Sequence, residues 1–451
     1  MQYKPKLPTF GLDRRAATAT VVLVSSAFAW YFLAFSILDD FASALTPWDA
    51  SDSGIVLVPV LSANVGAIVA AAFIGTYVIG KYKKRVNFLK KWMLAGIFVS
   101  LIPVVFTPST VSELILISII LGGYFGLGMP PTMGYFSSTT ENRNRARASG
   151  LTVLLIGLSF FILGYLSTGS TIIAGLILLS LRLGSFATFY VLEKNEVTLK
   201  DAAQIKYSKL FASRPFLLFL IPWLVFNLIN YLTAPFTKNL AVDGLNDDII
   251  TLYEQILIAI FAVATGFLAD RYGRKRLAIV GFIMLGLGYA ALGLFQGNFG
   301  SWYIYILADG AAWGIFYVLF LFSLWGDLSL DFNSEKAYVI GSIPFLFSVL
   351  MQIVFTPLMA GADATTLFSF ASFFLFIAVF PLFYAPETLS EKIMKDQDLN
   401  SYIEKAKKIA EKEEGKKQKQ QKVDEQNEDL RRDSEETAEE KKARELAEKY
   451  Y

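Results

Sequence analysis

Long apolar runs broken by short charged stretches dominate this chain. Twelve of them, at about 16–38, 54–79, 89–107, 112–136, 148–168, 171–192, 215–236, 249–269, 277–296, 301–326, 337–360 and 365–385, are long enough to cross a hydrocarbon core. A crossing takes roughly 20 helical residues for about 30 Å. Some runs are parted only by a tight turn, such as Thr168-Gly169-Ser170 or Gln296-Gly297-Asn298-Phe299-Gly300. The charges between runs alternate in sign. The loops after runs 2, 4, 6 and 8 carry Lys81 to Lys91, Arg143 to Arg147, Lys194 to Arg214 and Arg271 to Arg276. The loops after the odd runs hold almost no basic residue, Lys238 excepted, and instead carry Asp39, Asp40, Asp49, Asp52, Asp243, Asp247 and Asp248. By the positive-inside rule both termini face the cytoplasm. The pattern predicts an all-α membrane protein of twelve transmembrane helices.

The same order of spans repeats. Gly266-Phe-Leu-Ala-Asp270-Arg271-Tyr-Gly273-Arg274-Lys275-Arg276 has a worn copy 191 residues earlier, Gly75-Thr-Tyr-Val-Ile79-Gly80-Lys81-Tyr82-Lys83-Lys84-Arg85. Arg145-Ala146 to Gly150 and Lys336-Ala337 to Gly341 keep the same offset. Two matches at one spacing predict two pseudo-symmetric six-helix halves in parallel, an organisation that points to transport. The expected divisions are a cytoplasmic segment 1–15, a first half 16–192, a cytoplasmic linker 193–214, a second half 215–386 and a charged cytoplasmic tail 387–451.

Composition narrows the chemistry. The chain is 54% hydrophobic with a mean hydropathy of +0.48, more than a soluble domain hides. Its net charge of +2 conceals a tail, residues 391–451, with 16 Lys+Arg and 18 Asp+Glu. The tail starts with apolar residues near helical spacing, Ile393, Leu399, Tyr402, Ile403, Ala406 and Ile409. After Gly415 these become scarce, and a solvated helix or disorder is expected. There is no cysteine, hence no disulfide or thiolate metal site, and no histidine, so proton coupling would use carboxylates. No nucleotide-binding loop, metal-ligand cluster or nucleophile constellation appears. The expectation is no enzyme, no cofactor, no metal and no nucleic-acid partner.

Given the complete G-x-x-x-D-R/K-x-G-R-R/K signature at Gly266, Asp270, Arg271, Gly273, Arg274 and Lys275, residues 16–390 resemble the major facilitator superfamily. Only the glycine and part of the basic cluster, Gly75 to Arg85, survive in the first copy. The resemblance implies that the signature serves gating. Asp270 would clamp the start of span 5, near Arg145, Arg147 and Gly150, when the cytoplasmic side is shut. Ile79 in place of the aspartate implies that the matching clamp on span 11 is weaker or built differently. Pro386-Glu387-Thr388 resembles the ending of sugar porters and some metabolite–proton symporters. The glycine–proline pattern of antiporters in span 5 is missing.

Ionisable groups inside a bilayer cost about 2.5–3.5 kcal/mol each on insertion scales, so each needs a reason. Asp309, about 12 Å into span 10, and Glu254 in span 8 are the candidate proton-coupling residues. Arg182, mid-span 6, is a candidate for holding an anionic solute or a structural partner. Trp30, Tyr31, Asn64, Asn227, Asn230, Tyr231 and Gln352 are further candidates for the substrate cavity. The reading is a secondary active symporter in the plasma membrane, moving a sugar or organic anion by alternating access, its expected partners being protons and the lipid bilayer. The alternatives are an exporter of amphipathic compounds, or a membrane sensor or scaffold whose tail recruits a partner.

Overall fold

The computed structural model describes residues 14–46, 54–167, 170–193, 205–239, 247–295, 298–329, 334–355 and 362–450. The expected segment before residue 14, residues 194–204 of the linker, and loop residues Asp49, Asp52 and Asp243 lie outside them. The described secondary structure is helical. In chain order the long helices are α1 (Arg14–Leu45), α2 (Gly54–Tyr82), α3 (Arg85–Ser100), α4 (Val111–Thr139), α5 (Arg145–Ser167) and α6 (Thr171–Leu192). They continue with α7 (Arg214–Asn239), α8 (Asp247–Tyr272), α9 (Arg274–Leu294), α10 (Phe299–Phe316), α11 (Glu335–Phe355), α12 (Ala364–Ile377) and α13 (Glu391–Tyr450).

Ten helices among the described residues are long and apolar enough to cross a membrane. Arg145–Ser167 and Glu335–Phe355 occupy the positions of the other two expected spans. Local chemistry starts several of them. Thr110 Oγ1 accepts the Glu113 N–H at 3.3 Å while Glu113 Oε2 takes the Ser109 N–H at 2.7 Å, so two orphan donors of α4 are satisfied reciprocally. Asp363 Oδ2 caps α12 through the Thr366 N–H at 3.0 Å, and these bonds hold its carboxyl below the usual range. α1 runs past Asp39 and Asp40, two turns beyond the expected end of the span. Within the expected linker, one short helix, Tyr207–Phe211, falls among the described residues.

Most of the α1–α6 helices pack mainly on others of that set, and most of α7–α12 likewise, while α5 packs most heavily on α8 of the other set. α2 lies along α4, α1 against α6, and α9 against α10 and α12. The main contacts between the sets are α5 with α8 and α2 with α11, joined by α5 with the π-helical end of α10 and α4 with α11. They bring the two copies of the repeated motif to the same end of the bundle. α10 is the most buried span. It passes into a π-helical stretch, Tyr317–Ser323, before a last turn at Leu324–Asp327. Such stretches recur at functional sites.

The bundle, through Ser390, is one compact unit and α13 another. α13 is a single polar helix that continues through Gly415 to Tyr450, where the sequence left disorder open. Acid-to-base pairs at i,i+4 support such helices. Glu391–Lys395, at 2.8 Å, is one.

Candidate functional site

The basic motif is the end of one helix, a turn, and the start of the next. Gly273 makes the turn at φ +100°, where an added Cβ would also meet the Glu387 carboxylate at 2.2 Å. Upstream, Gly266 and Gly150 let α8 and α5 touch backbone to backbone: a Cβ on Gly150 would come within 2.5 Å of the Ala262 carbonyl oxygen. That close approach places Asp270 against the first turn of α5. Asp270 Oδ1 accepts from the Ala146 N–H at 3.2 Å and Arg274 Nη2 at 3.0 Å. Its Oδ2 accepts from the Arg147 N–H and Nε, both at 3.1 Å. A carboxylate at orphan helix N–H groups complements the helix dipole. Its side chain is fully buried.

A second carboxylate, Asp327, extends the network. It pairs with Arg145 Nη1, and its Oδ2 lies 2.9 Å from Arg274 Nε. Asn142 Nδ2 donates to Asp327 Oδ1 at 2.8 Å and to the Thr388 carbonyl at 3.0 Å. Thr388 Oγ1 adds a bond to Asp327 Oδ2 at 3.3 Å, and Glu387 accepts the Arg274 and Lys275 N–H groups at 2.8 and 3.2 Å. The Pro386-Glu387-Thr388 ending is thus part of the seal, its glutamate capping α9. Lys275 Nζ donates to the Phe383 carbonyl at 2.8 Å. Arg271 stands outside, exposed and over the Tyr272 ring.

The worn copy is built otherwise. Gly75 packs α2 on α4, where a Cβ would meet the Leu127 carbonyl oxygen at 2.3 Å, and Ile79 is buried. The charge pair across this side is Arg85 with Glu335, at the starts of α3 and α11. Arg85 Nε donates to Glu335 Oε1 at 3.0 Å, and Nη1 donates to Ser138 Oγ at 3.0 Å. Glu335 Oε2 has no hydrogen-bond partner.

Between these helices lies a central cavity of about 20 Å³. Its walls are aromatic and apolar, including Phe28, Tyr31 and Phe32 of α1, Phe125 and Met129 of α4, Phe320 and Trp325, and Phe345 of α11. Of the cavity candidates read from the sequence, Tyr31 lines it and the others do not. Trp30 points into the neighbouring helices, donating from Nε1 to Ser100 Oγ at 2.8 Å. Asn64 bonds the Ser118 carbonyl (2.9 Å), Asn227 the Trp223 carbonyl (2.7 Å), and Asn230 accepts from the Tyr289 hydroxyl (3.1 Å). Gln352 is half-buried on α11. The polar side chains of these helices mostly join neighbouring helices or their own backbone, because an unpaired polar group in hydrocarbon is costly.

Arg182 is fully buried among rings. Its guanidinium carbon lies 4.5 Å from the Trp92 centroid, 5.0 Å from Trp30 and 5.2 Å from Tyr124, and among the described residues none of its three nitrogens has a hydrogen-bond partner. Cation–π attraction, worth about 2 kcal/mol or more when desolvated, takes the place of a counter-ion. Asp309 is buried too, its Oδ1 without a partner, and it lies within electrostatic reach of Glu254 on α8 and of Tyr289, Tyr305 and Tyr317. The structure therefore brings the two coupling candidates together. Asp327, Glu335, Asn142 and Glu387 were not singled out as gate residues. The one signal for Glu335 was its place beside Lys336 in the second repeat.

Residues 15–321 match the family description Major Facilitator Superfamily. The chain belongs to the major facilitator superfamily. This multi-pass membrane protein shares its fold with the proton:xylose symporter XylE bound to 6-bromo-6-deoxy-D-glucose. That pair superimposes with a TM-score of 0.62 at 14% identity, over 83% of this chain and 96% of the other. The human organic anion transporter MFSD10 (TETRAN) gives 0.59 at 12% identity, over 82% and 99%. Among curated proteins, none matches by sequence. Membership in the superfamily supports membrane transport as the activity of this chain.

Proposed function

We propose that the chain is a secondary active transporter of the plasma membrane that carries a small organic solute by alternating access, with its cytoplasmic end shut here. The observation that supports it is the placement of three ion pairs, Arg85–Glu335, Arg145–Asp327 and Arg147–Asp270. Each joins α1–α6 to α7–α12, and all sit at the basic end. With both termini cytoplasmic, breaking them opens the centre to the cytoplasm while the opposite end closes. Asp309 and Glu254 are the coupling pair in this reading. A proton bound at either relieves the repulsion between two carboxylates held in a medium of low dielectric.

The aromatic centre favours an amphipathic organic solute. A sugar's hydroxyl groups would need donors and acceptors that the lining of the central cavity offers sparsely. The Pro386-Glu387-Thr388 ending, which favoured a sugar, is taken up by the seal, and Arg182, which favoured an anion, is enclosed by rings. The neighbours keep both substrates in view as the competing reading, since one is a proton:xylose symporter and the other an organic anion transporter.

A chain without native cysteine permits a direct test. Ser149→Cys, behind the seal, and Gln255→Cys, toward the other end of α8, are alkylated separately with an impermeant maleimide. Asp270→Asn is expected to speed the first and slow the second. Two thiols that speed up together, or a rate change at one alone, would sink alternating access.

A further inference from the structure

A second cavity, of about 150 Å³, lies off the centre between α1, α5, α8 and the π-helical stretch of α10. It is the larger of the two cavities and shares Phe28, Phe32 and Leu321 with the central one, so these three side chains are the partition between them. Its lining also includes Gly157 of α5 and Gln255 of α8. An added Cβ on Gly157 meets nothing within 4 Å, and the Gln255 side chain is exposed at the rim.

The shape and the lining select a chemistry. A cavity of about 150 Å³ with mostly hydrocarbon walls has room for a six-membered carbon ring. Here the walls include the rings of Phe28, Phe32 and Tyr317, which meet an aromatic guest edge to face. No charged side chain lines the space. An ionised group or a polyhydroxylated solute placed there would lose its hydration without replacement. The Gln255 amide, which both donates and accepts, can meet one neutral polar group.

We propose that this cavity is a binding subsite for the ring of an aromatic amphiphile, whose polar group meets Gln255. It rests on the transport reading and names the solute class. The ring leaves the subsite for the centre by rotation of Phe28, Phe32 and Leu321. Gly157 sets the size of the guest, since any side chain there stands in its space.

The test is photolabelling of the purified full-length chain in detergent with 4-azidobenzyl alcohol, followed by mass-spectrometric mapping. Label is expected in the segments 153–157 or 317–321, suppressed by excess benzyl alcohol. Gly157→Leu should reduce it at least tenfold. Gly123→Leu, where an added Cβ also meets nothing within 4 Å, should leave it unchanged. Equal labelling of the Gly157→Leu variant overturns the subsite, as does label spread over exposed positions such as Phe98 and Phe161. Protection by 1-octanol but not by benzyl alcohol assigns the space to an acyl chain and also overturns it. The reciprocal thiol assay needs no ligand. If thiols alternate while the label fails, the subsite alone falls, whereas label without alternation leaves a binding cavity and removes transport.

Discussion

Two copies of one motif meet the same end of the bundle and close it by different means. Asp270, in the complete copy, uses both carboxylate oxygens and takes in two backbone N–H groups and two arginines. Glu335, on the side of the worn copy, engages Arg85 through one oxygen and leaves the other without a partner. The acid has also changed sides. In the complete copy it ends α8 and reaches for the start of α5, whereas in the worn copy it begins α11 and reaches for the start of α3. In the proposed gate, the missing motif aspartate is matched by a charge of the same sign across the contact, without the helix-cap bonds that Asp270 makes.

The largest effect should come from Asp270→Asn. Removing one charge of a buried, hydrogen-bonded pair costs about 3–5 kcal/mol. Alkylation of Ser149→Cys should therefore rise by roughly 100-fold or more. A change under about threefold would mean that the complete motif is not the stronger clamp. Glu335→Gln, tested in the same background, should raise the rate by about 10- to 100-fold, in keeping with about 1.5–3 kcal/mol for a charged hydrogen bond. An effect equal to that of Asp270→Asn would erase the distinction between the two sides. The smallest and most discriminating effect concerns Ile79→Asp. Alone it buries a carboxylate and should lower the melting temperature. Added to Glu335→Gln it should recover part of the lost closure, measured as a slower alkylation rate, if the start of α11 still offers its N–H groups. No recovery would show that the worn side has lost the geometry as well as the residue.

Much of the architecture was legible because its cause is additive along the chain. Hydropathy counts spans without reference to partners, and the ends were missed only where caps and long helices override it, as beyond Asp40 in α1. The complete motif was legible because its residues are contiguous and the acid acts one turn from the glycine. Arg85 and Glu335 lie 250 residues apart, so no spacing announced their pairing. The cavity failed for a different reason. Successive residues on a helix turn by about 100°, and polarity does not say which side faces the centre. Trp30 faces Arg182 while Tyr31, next to it, lines the cavity. In a bundle whose helices bond to one another through asparagine and threonine, polar residues mark packing as often as cargo.

The seal also fixes how the molecule should answer to dissolved ions. Asp270, Arg274 and Asp327 have fully buried side chains, beyond reach of a mobile ion atmosphere while the end is closed. Once it parts, the same groups face water, where the screening length is about 8 Å at physiological ionic strength. Salt then weakens the attraction that would draw the two sides back together, yet has little hold on the contact already made. Added electrolyte should consequently slow resealing far more than it hastens opening, making the time spent facing the basic side a function of the medium.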